Sequence, residues 1–413
     1  MTEQPSSIWR DNGHVIWWHV YPLGFAGAPI RPSGNAERTT TPRLGRIINW
    51  LDYMRELGCD GLLLNPIFDS TSHGYDTVDH FHIDPRLGDD ATFDRLVEAC
   101  HTRGIHLMLD GVFNHVGIAH PWFQQALAGQ GHEGLFRITR NNDGTTDYST
   151  FEGHRDLPVL DHNAQAALRY VVDVIRYWSS RGVDAWRLDA AYAVPAEFWH
   201  QAITEVRGEF PDLWVMGEMI HGDYSAFVAR SGVNSVTQYE LWKAIWSSLR
   251  DGNFYELDWS LKRHNEFLSS FIPQTFVGNH DVTRLVDLCG GEHQAKLAMT
   301  ILFTVGGVPS IYYGDERAWH GIKYDRFGGD DEIRPCYPDS PAMLCDDGDD
   351  MFSTIHNLIA IRRRNPWLVD AMTMPTFVDN RHYEYDAVSR DGTSRIHVTL
   401  NLDPVPSAAV SDR

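Results

Sequence analysis

The feature that most constrains this chain is a recurrence. Eight short apolar runs, at residues 15–21, 59–66, 105–110, 183–189, 213–218, 233–239, 275–281 and 308–314, alternate with stretches of helical spacing. The helical stretches include residues 44–57, 92–102, 164–180, 196–209 and 293–303, and the first two stop at Gly58 and Gly104. The sixth run is the weakest. Strands and helices in alternation, without long-range antiparallel patterning, predict an α/β fold in which parallel strands close into a (β/α)8 TIM barrel. A length of 413 residues accommodates such a barrel and an appendage.

Two stretches depart from the recurrence. From Asn114 to about Val159 the chain is rich in Gly, His, Asp and Thr and shows no clear helix long enough to be the barrel's third. A connection that long in a compact barrel is usually functional, so it reads as an inserted subdomain after the third strand. After Pro366 the pattern changes to strand alternation, as in Ile396-His397-Val398-Thr399-Leu400. That predicts a short C-terminal β domain, with the final SAAVSDR as a loose tail. The expected division is barrel at 1–114 and 161–366, inserted subdomain at 115–160 and β domain at 367–413.

Polar residues gather where the runs end. The third ends Asp110-Gly111-Val112-Phe113-Asn114-His115, the fourth Arg187-Leu188-Asp189, the fifth Gly217-Glu218 and the seventh Asn279-His280-Asp281. In a barrel those ends converge on one mouth. Any one of them is more often a cap or an ion pair than a catalyst. Collecting four acidic termini is costly, because like charges oppose each other's ionisation. Arg187 and Asp189, two apart in a strand, project to the same face. The guanidinium is then expected to hold Asp189 ionised, as a nucleophile requires, although a structural ion pair beside the core would read the same way. Glu218 follows an apolar strand, and partial desolvation is expected to raise its pKa and suit it to general acid and base work. Asp281, next to His280, is the third carboxylate, for sugar hydroxyls and for biasing Glu218 toward its protonated form.

Composition narrows the partners. A formal net charge of -21 repels nucleic acid and anionic membranes and is compatible with a neutral substrate. The 14 Trp and 16 Tyr can supply flat apolar faces for pyranose rings. The N-terminal MTEQPSSIWRDNGH has no basic or apolar leader pattern, and no apolar run approaches the ~18 residues of a membrane span. Five scattered cysteines without a C-x-x-C motif read as reduced thiols in a cytoplasm and argue against a zinc site.

Five segments together carry a resemblance. Asp110-Gly111-Val112-Phe113-Asn114-His115, Trp186-Arg187-Leu188-Asp189, Gly217-Glu218, Phe276-Val277-Gly278-Asn279-His280-Asp281 and Gly307-Val308-Pro309-Ser310-Ile311-Tyr312-Tyr313-Gly314-Asp315-Glu316 look like the successive signature regions of the α-amylase family (glycoside hydrolase family 13). The match covers about residues 15 to 366. The resemblance implies a retaining mechanism on α-glucosidic bonds. It assigns the nucleophile to Asp189, the acid/base to Glu218 and the transition-state stabiliser to Asp281. It carries substrate contacts to Tyr75, His115, Arg187 and His280, with the Tyr75 ring stacking on the sugar at the reaction centre.

Within the family, Trp186-Arg187-Leu188-Asp189 and Gly217-Glu218-Met219-Ile220-His221 are similar to the cyclomaltodextrinase, neopullulanase and maltogenic amylase group. Asp330-Asp331-Glu332-Ile333-Arg334 resembles the loop whose Asp and Arg hold the next sugar out, a role the resemblance carries to Asp330 and Arg334; a surface ion pair is the competing reading. That group normally has an extra N-terminal β domain, whereas this barrel starts within about 15 residues. Secreted members hold a calcium through Asn, Asp and His. Here Asn114 is retained, Val159 replaces an acid, and Tyr192-Ala193 replaces a Lys-His pair, so no metal and no cofactor is expected.

The expectation is an intracellular hydrolase of short or cyclic α-glucans, including a cyclic tetrasaccharide with alternating α-1,4 and α-1,6 bonds. Two alternatives stay open, a transglycosylase or linear maltooligosaccharide hydrolase of the same family, and a non-catalytic carbohydrate-binding barrel. The expected partner is an oligosaccharide, without nucleic acid or membrane; a homodimer stays open.

Overall fold

The computed structural model describes residues 15–412. The segment read as lacking a leader, residues 1–14, lies outside the described residues.

All eight apolar runs form strands: β1 (Trp17–Val20), β2 (Gly61–Leu64), β3 (His106–Gly111), β4 (Ala185–Leu188), β5 (Trp214–Gly217), β6 (Ser235–Val236), β7 (Gln274–Phe276) and β8 (Val308–Tyr312). They pair in parallel in the order β6-β5-β4-β3-β2-β1-β8-β7, and a parallel bridge between Thr237 and Gln274 joins the two ends. The sheet thus closes on itself as a TIM barrel.

The main helices around it are α1 (Leu51–Leu57), α2 (Asp90–Thr102), α3 (Gln165–Ser180), α4 (Ala196–Arg207), α5 (Tyr224–Ser231), α6 (Tyr239–Asp251), α7 (Phe254–Leu268), α8 (Glu292–Thr304) and α9 (Asp349–Arg364). Local chemistry sets their ends. The Asp89 carboxylate accepts from Thr92 N at 2.8 Å and caps α2. Gly58, at φ 107°, turns the chain out of α1 in a conformation that other residues resist. The expected helix at 44–57 is two pieces, Gly45–Ile48 and Leu51–Leu57, broken at Asn49-Trp50. In α3 the buried side chains include 167/168, 171/172, 174/175 and 178/179, one stripe turned to the barrel, with Tyr170 buried beside it.

The bore of the barrel follows the strand period of two. Val15, Trp17, Leu63, Met108, Ala185, Trp214 and Met216 pack together as an apolar floor, separate from the larger core between strands and helices. Trp17 stacks on Trp214 with ring centroids 6.1 Å apart. A Cβ at Gly61 would stand 2.4 Å from the Trp17 ring, so only glycine admits that tryptophan. Two residues along each strand on the same face come His19, Asn65, Asp110, Arg187 and Glu218, all buried. The inward face therefore changes from apolar to polar toward the C-terminal ends of the strands.

The connection from β3 to α3 carries only short elements. It holds a helix at Pro121–Ala128 and two small hairpins, Ile138–Arg140 with Thr146–Tyr148 and Thr150–Phe151 with His154–Pro158. Pro121 at the first turn and Gly129 in a left-handed C-cap are the signals that mark this short helix. The chain beyond Pro366 forms a four-stranded antiparallel sheet, β9 (Met372–Val378), β10 (His382–Val388), β11 (Arg395–Asn401) and β12 (Ser407–Asp412). The expected loose tail is thus corrected. Residues 407–412 pair with β11 as an edge strand whose side chains are almost all exposed, which leaves no apolar alternation to read.

Among the described residues, no helix is long and apolar enough to cross a membrane.

Candidate active site

Arg187 is the centre of the site. It leaves β4 inward, in register with Asp110 of β3, and its Nη1 lies 2.7 Å from both Asp110 carboxylate oxygens. The same nitrogen donates to Asp189 Oδ1 at 3.1 Å, and Nη2 reaches Glu218 Oε1 at 2.7 Å. One guanidinium therefore faces three buried carboxyls from three adjacent strands. Ala190 follows Asp189 in a left-handed conformation, φ 44°, which is strained for a residue with a Cβ. That turn aims the Ala190 N–H at Glu218 Oε2, 3.0 Å away.

The excess of negative charge has an electrostatic consequence. Burial first and repulsion from Glu218 second push the Asp189 carboxyl well above its ordinary range, against the pull of Arg187. The pull expected of Arg187 is present, but burial and Glu218 outweigh it. That guanidinium is shared three ways, and two of its partners come from other strands.

A second network flanks the first. Asn65 Nδ2 lies 2.9 Å from the Tyr75 hydroxyl, 3.1 Å from Asp110 Oδ2 and 3.2 Å from His280 Nδ1. The Tyr75 hydroxyl donates to Asp110 Oδ2 at 2.9 Å, and its ring lies parallel to His280 at 5.3 Å, half-buried at the cleft wall. His280 Nε2 stands 3.0 Å from Asp281 Oδ2. Arg334 donates to the His280 carbonyl at 3.0 Å and to Asp281 Oδ1 at 3.1 Å, and reaches Asp330 at 3.2 Å. Arg334 is buried, with its guanidinium over the Tyr21 ring, so this is no surface ion pair. Burial alone would raise the Asp281 carboxyl, but His280 and then Arg334 and Lys323 hold it well below the carboxylate range. Asp281 is therefore the carboxylate that stays charged.

Between the two networks opens a cleft of about 340 Å³, lined by Tyr75, His115, Asp189, Glu218, Tyr239 and Asp281 among others. Phe151, Glu152 and Leu157 of the β3–α3 connection form one of its walls. His115 stacks on Phe151 at 4.8 Å and bonds the Tyr75 carbonyl at 3.1 Å.

Sequence reasoning missed three residues that the networks use. Asn65 ends the second apolar run, a polar strand end of the same kind as those singled out. Tyr239 donates to Glu218 Oε1 at 3.3 Å and accepts from Asn279 Nδ2 at 2.8 Å, and it ended the weakest run. Lys323 lines the cleft from a loop, where no sequence signal marks it.

Where calcium would sit in secreted α-amylases, the donors do not fit. Asn114 Nδ2 lies 3.1 Å from His115 Nδ1, Val159 offers no side-chain oxygen, and the Tyr192 hydroxyl donates to Glu152 at 3.0 Å. Among the described residues, no group of three His, Cys, Asp or Glu could hold a metal ion.

A model of the α-amylase catalytic domain matches residues 33–133 and 138–338. A cyclomaltodextrinase of Geobacillus thermopakistaniensis (strain MAS1) is 32% identical over 376 residues, covering 85% of this chain and 62% of its own length. Neopullulanase 2 of Thermoactinomyces vulgaris is 34% identical over 330 residues, covering 73% of this chain and 56% of its own length. The chain thus spans about three fifths of these curated relatives. Among solved structures, the ligand-free cyclic α-maltosyl-(1→6)-maltose hydrolase from Arthrobacter globiformis aligns with a TM-score of 0.81 at 25% identity, over 98% of this chain and 97% of that one.

Proposed function

The chain belongs to the α-amylase family of glycoside hydrolases, and from that premise we propose that it is a retaining hydrolase of short or cyclic α-glucans. The observation that carries the proposal is Arg187 holding Asp189 and Glu218 side by side beneath an open cleft, with anionic Asp281 in its lining.

In the first step Glu218 acts as the general acid and donates a proton to the glycosidic oxygen as that bond breaks. The Asp189 carboxylate attacks the anomeric carbon from the other face and forms a glycosyl ester. In the second step the Glu218 carboxylate takes a proton from water, the water oxygen attacks the same carbon, and Asp189 leaves. Asp281, kept charged by His280 and Arg334, faces the positive charge that develops on the sugar ring. Tyr75, His115, Arg187 and His280 bind and orient that sugar. Asp330 and Arg334 serve the next one.

The similarity in length to the cyclic maltosyl-maltose hydrolase supports that cyclic tetrasaccharide as the first substrate to test. We assign residues 1–114 and 161–366 to the barrel, 115–160 to an inserted subdomain and 367–413 to a C-terminal β domain. Five free cysteines support a reducing, cytoplasmic setting.

Chromatography of products from cyclic maltosyl-maltose, cyclodextrins, panose and maltotetraose tests the reading. Hydrolysis releases shorter linear sugars. Products longer than the substrate would favour a transglycosylase, and no change in any sugar would leave a binding protein.

A further inference from the structure

The cleft does not end at Glu218. Ile220 and Tyr239, which line it, also line a second groove of about 480 Å³ between α6 and α7. Its other walls include Trp242 and Trp259. Trp242 is held by stacking on Phe276, with centroids 6.2 Å apart and planes 16° apart. Trp259 is 65% exposed, Tyr255 one turn earlier is 54% exposed, and Ile220 is 40% exposed. So much open aromatic surface in one place marks an interaction site.

The chemistry of the groove selects among occupants. Its charged residues are already paired across it. Arg263 donates to Glu240 at 2.6 Å, and Lys243 pairs with Glu256. No unpaired charge there asks for an ionic ligand. A flat indole face beside polar groups matches the C–H face and hydroxyl rim of a pyranose. Continuity through Ile220 sets the direction. Glu218 protonates the leaving group, Ile220 follows two residues later, and Asp330 and Arg334 sit beyond Asp281.

We propose that the groove between α6 and α7 binds the departing side of a linear α-glucan chain, with Trp259 as its stacking platform. This rests on the hydrolase reading and deepens it. The site extends recognition past the residues that perform chemistry, and among short linear glucans it favours the longer ones over the shortest.

The test compares maltotriose with maltoheptaose for the wild type, Trp259→Ala and Trp259→Phe. Trp259→Ala should lower kcat/KM on maltoheptaose about 3- to 10-fold through KM, as one lost ring contact predicts. Its kcat/KM on maltotriose should stay within about twofold, and Trp259→Phe should recover most of the loss. An equal effect on both sugars, or none on either, overturns the proposal. So does a shift from dimer to monomer in sedimentation, which would give this face to a second copy of the chain. If the wild type cleaves neither sugar, it is the hydrolase reading that fails. Calorimetry of maltoheptaose on Asp189→Asn, with and without Trp259→Ala, then still decides the groove. A Kd raised about 3- to 10-fold supports it, and an unchanged Kd ends it.

Discussion

Replacing Asp110 by Asn should both destabilise the barrel and move its pH dependence. Asp110 is fully buried and receives Arg187 Nη1 on both oxygens at 2.7 Å, while Oδ2 also takes Asn65 and Tyr75. An amide in either orientation sets an N–H against Arg187, a donor facing a donor. Breaking one partner of a buried ion pair costs about 3–5 kcal/mol. An unfolding entropy of about 2.1 cal/mol/K per residue amounts, over 413 residues, to about 0.9 kcal/mol/K. The expected fall in Tm is therefore about 3–6 °C by calorimetry. The kinetic effect has the opposite sense. Asp110 is among the charges that raise Asp189, so its removal lowers the pH at which Asp189 ionises. The acid limb of kcat/KM on maltotetraose should move to lower pH. A Tm within 1 °C of wild type (about 1 kcal/mol), or an acid limb that stays or moves up, would refute the shared-guanidinium argument.

Asp189→Asn and Asp281→Asn should each reduce turnover at least about 10⁴-fold yet shift Tm oppositely at pH 7. The Asp189 carboxyl titrates above its unfolded value, so its charge costs stability as pH rises through the folded pKa, and the amide should melt higher. The Asp281 carboxyl titrates below its unfolded value, so it contributes stability above that value and loses it on acidification; the amide should melt lower, with the gap closing toward low pH. Melts of both variants from pH 3 to 8 (about the carboxylate range upward) check these signs, and shifts in the same direction would contradict them. Tyr239→Phe removes a hydroxyl between Glu218 and Asn279 and leaves a buried donor unpaired, a cost of about 1–3 kcal/mol. Its kcat should drop about 10-fold with KM little changed; a pure KM effect would take Tyr239 out of the acid's environment. EDTA should leave activity and Tm unchanged, given the donors at Asn114, Val159 and Tyr192, and a loss restored by calcium would contradict that.

The barrel was legible because parallel strands buried on both faces read as unbroken apolar runs. The mouth was legible because polar residues ended those runs. What escaped was non-local. Arg187 is visible beside Asp189 in sequence, but its shorter contacts to Asp110 and Glu218 come from neighbouring strands, and burial with repulsion from Glu218 raises the Asp189 carboxyl against the guanidinium's pull. The hairpin of Phe68–Ser70 with Thr77–Ile83, which flanks Tyr75, has no regular alternation because its register shifts twice. The edge strand β12 carried no pattern because almost nothing on it is buried.

The wall formed by Phe151, Glu152 and Leu157 belongs to a connection that closes on itself through the bridges His115–Val159 and Phe136–Leu160. The acids beneath it hang from strands that do not depend on its sequence. That makes the segment an interchangeable part. A relative's version, grafted between the same two bridges, should retune which glucan shapes gain entry while the proton-transfer machinery below is left untouched.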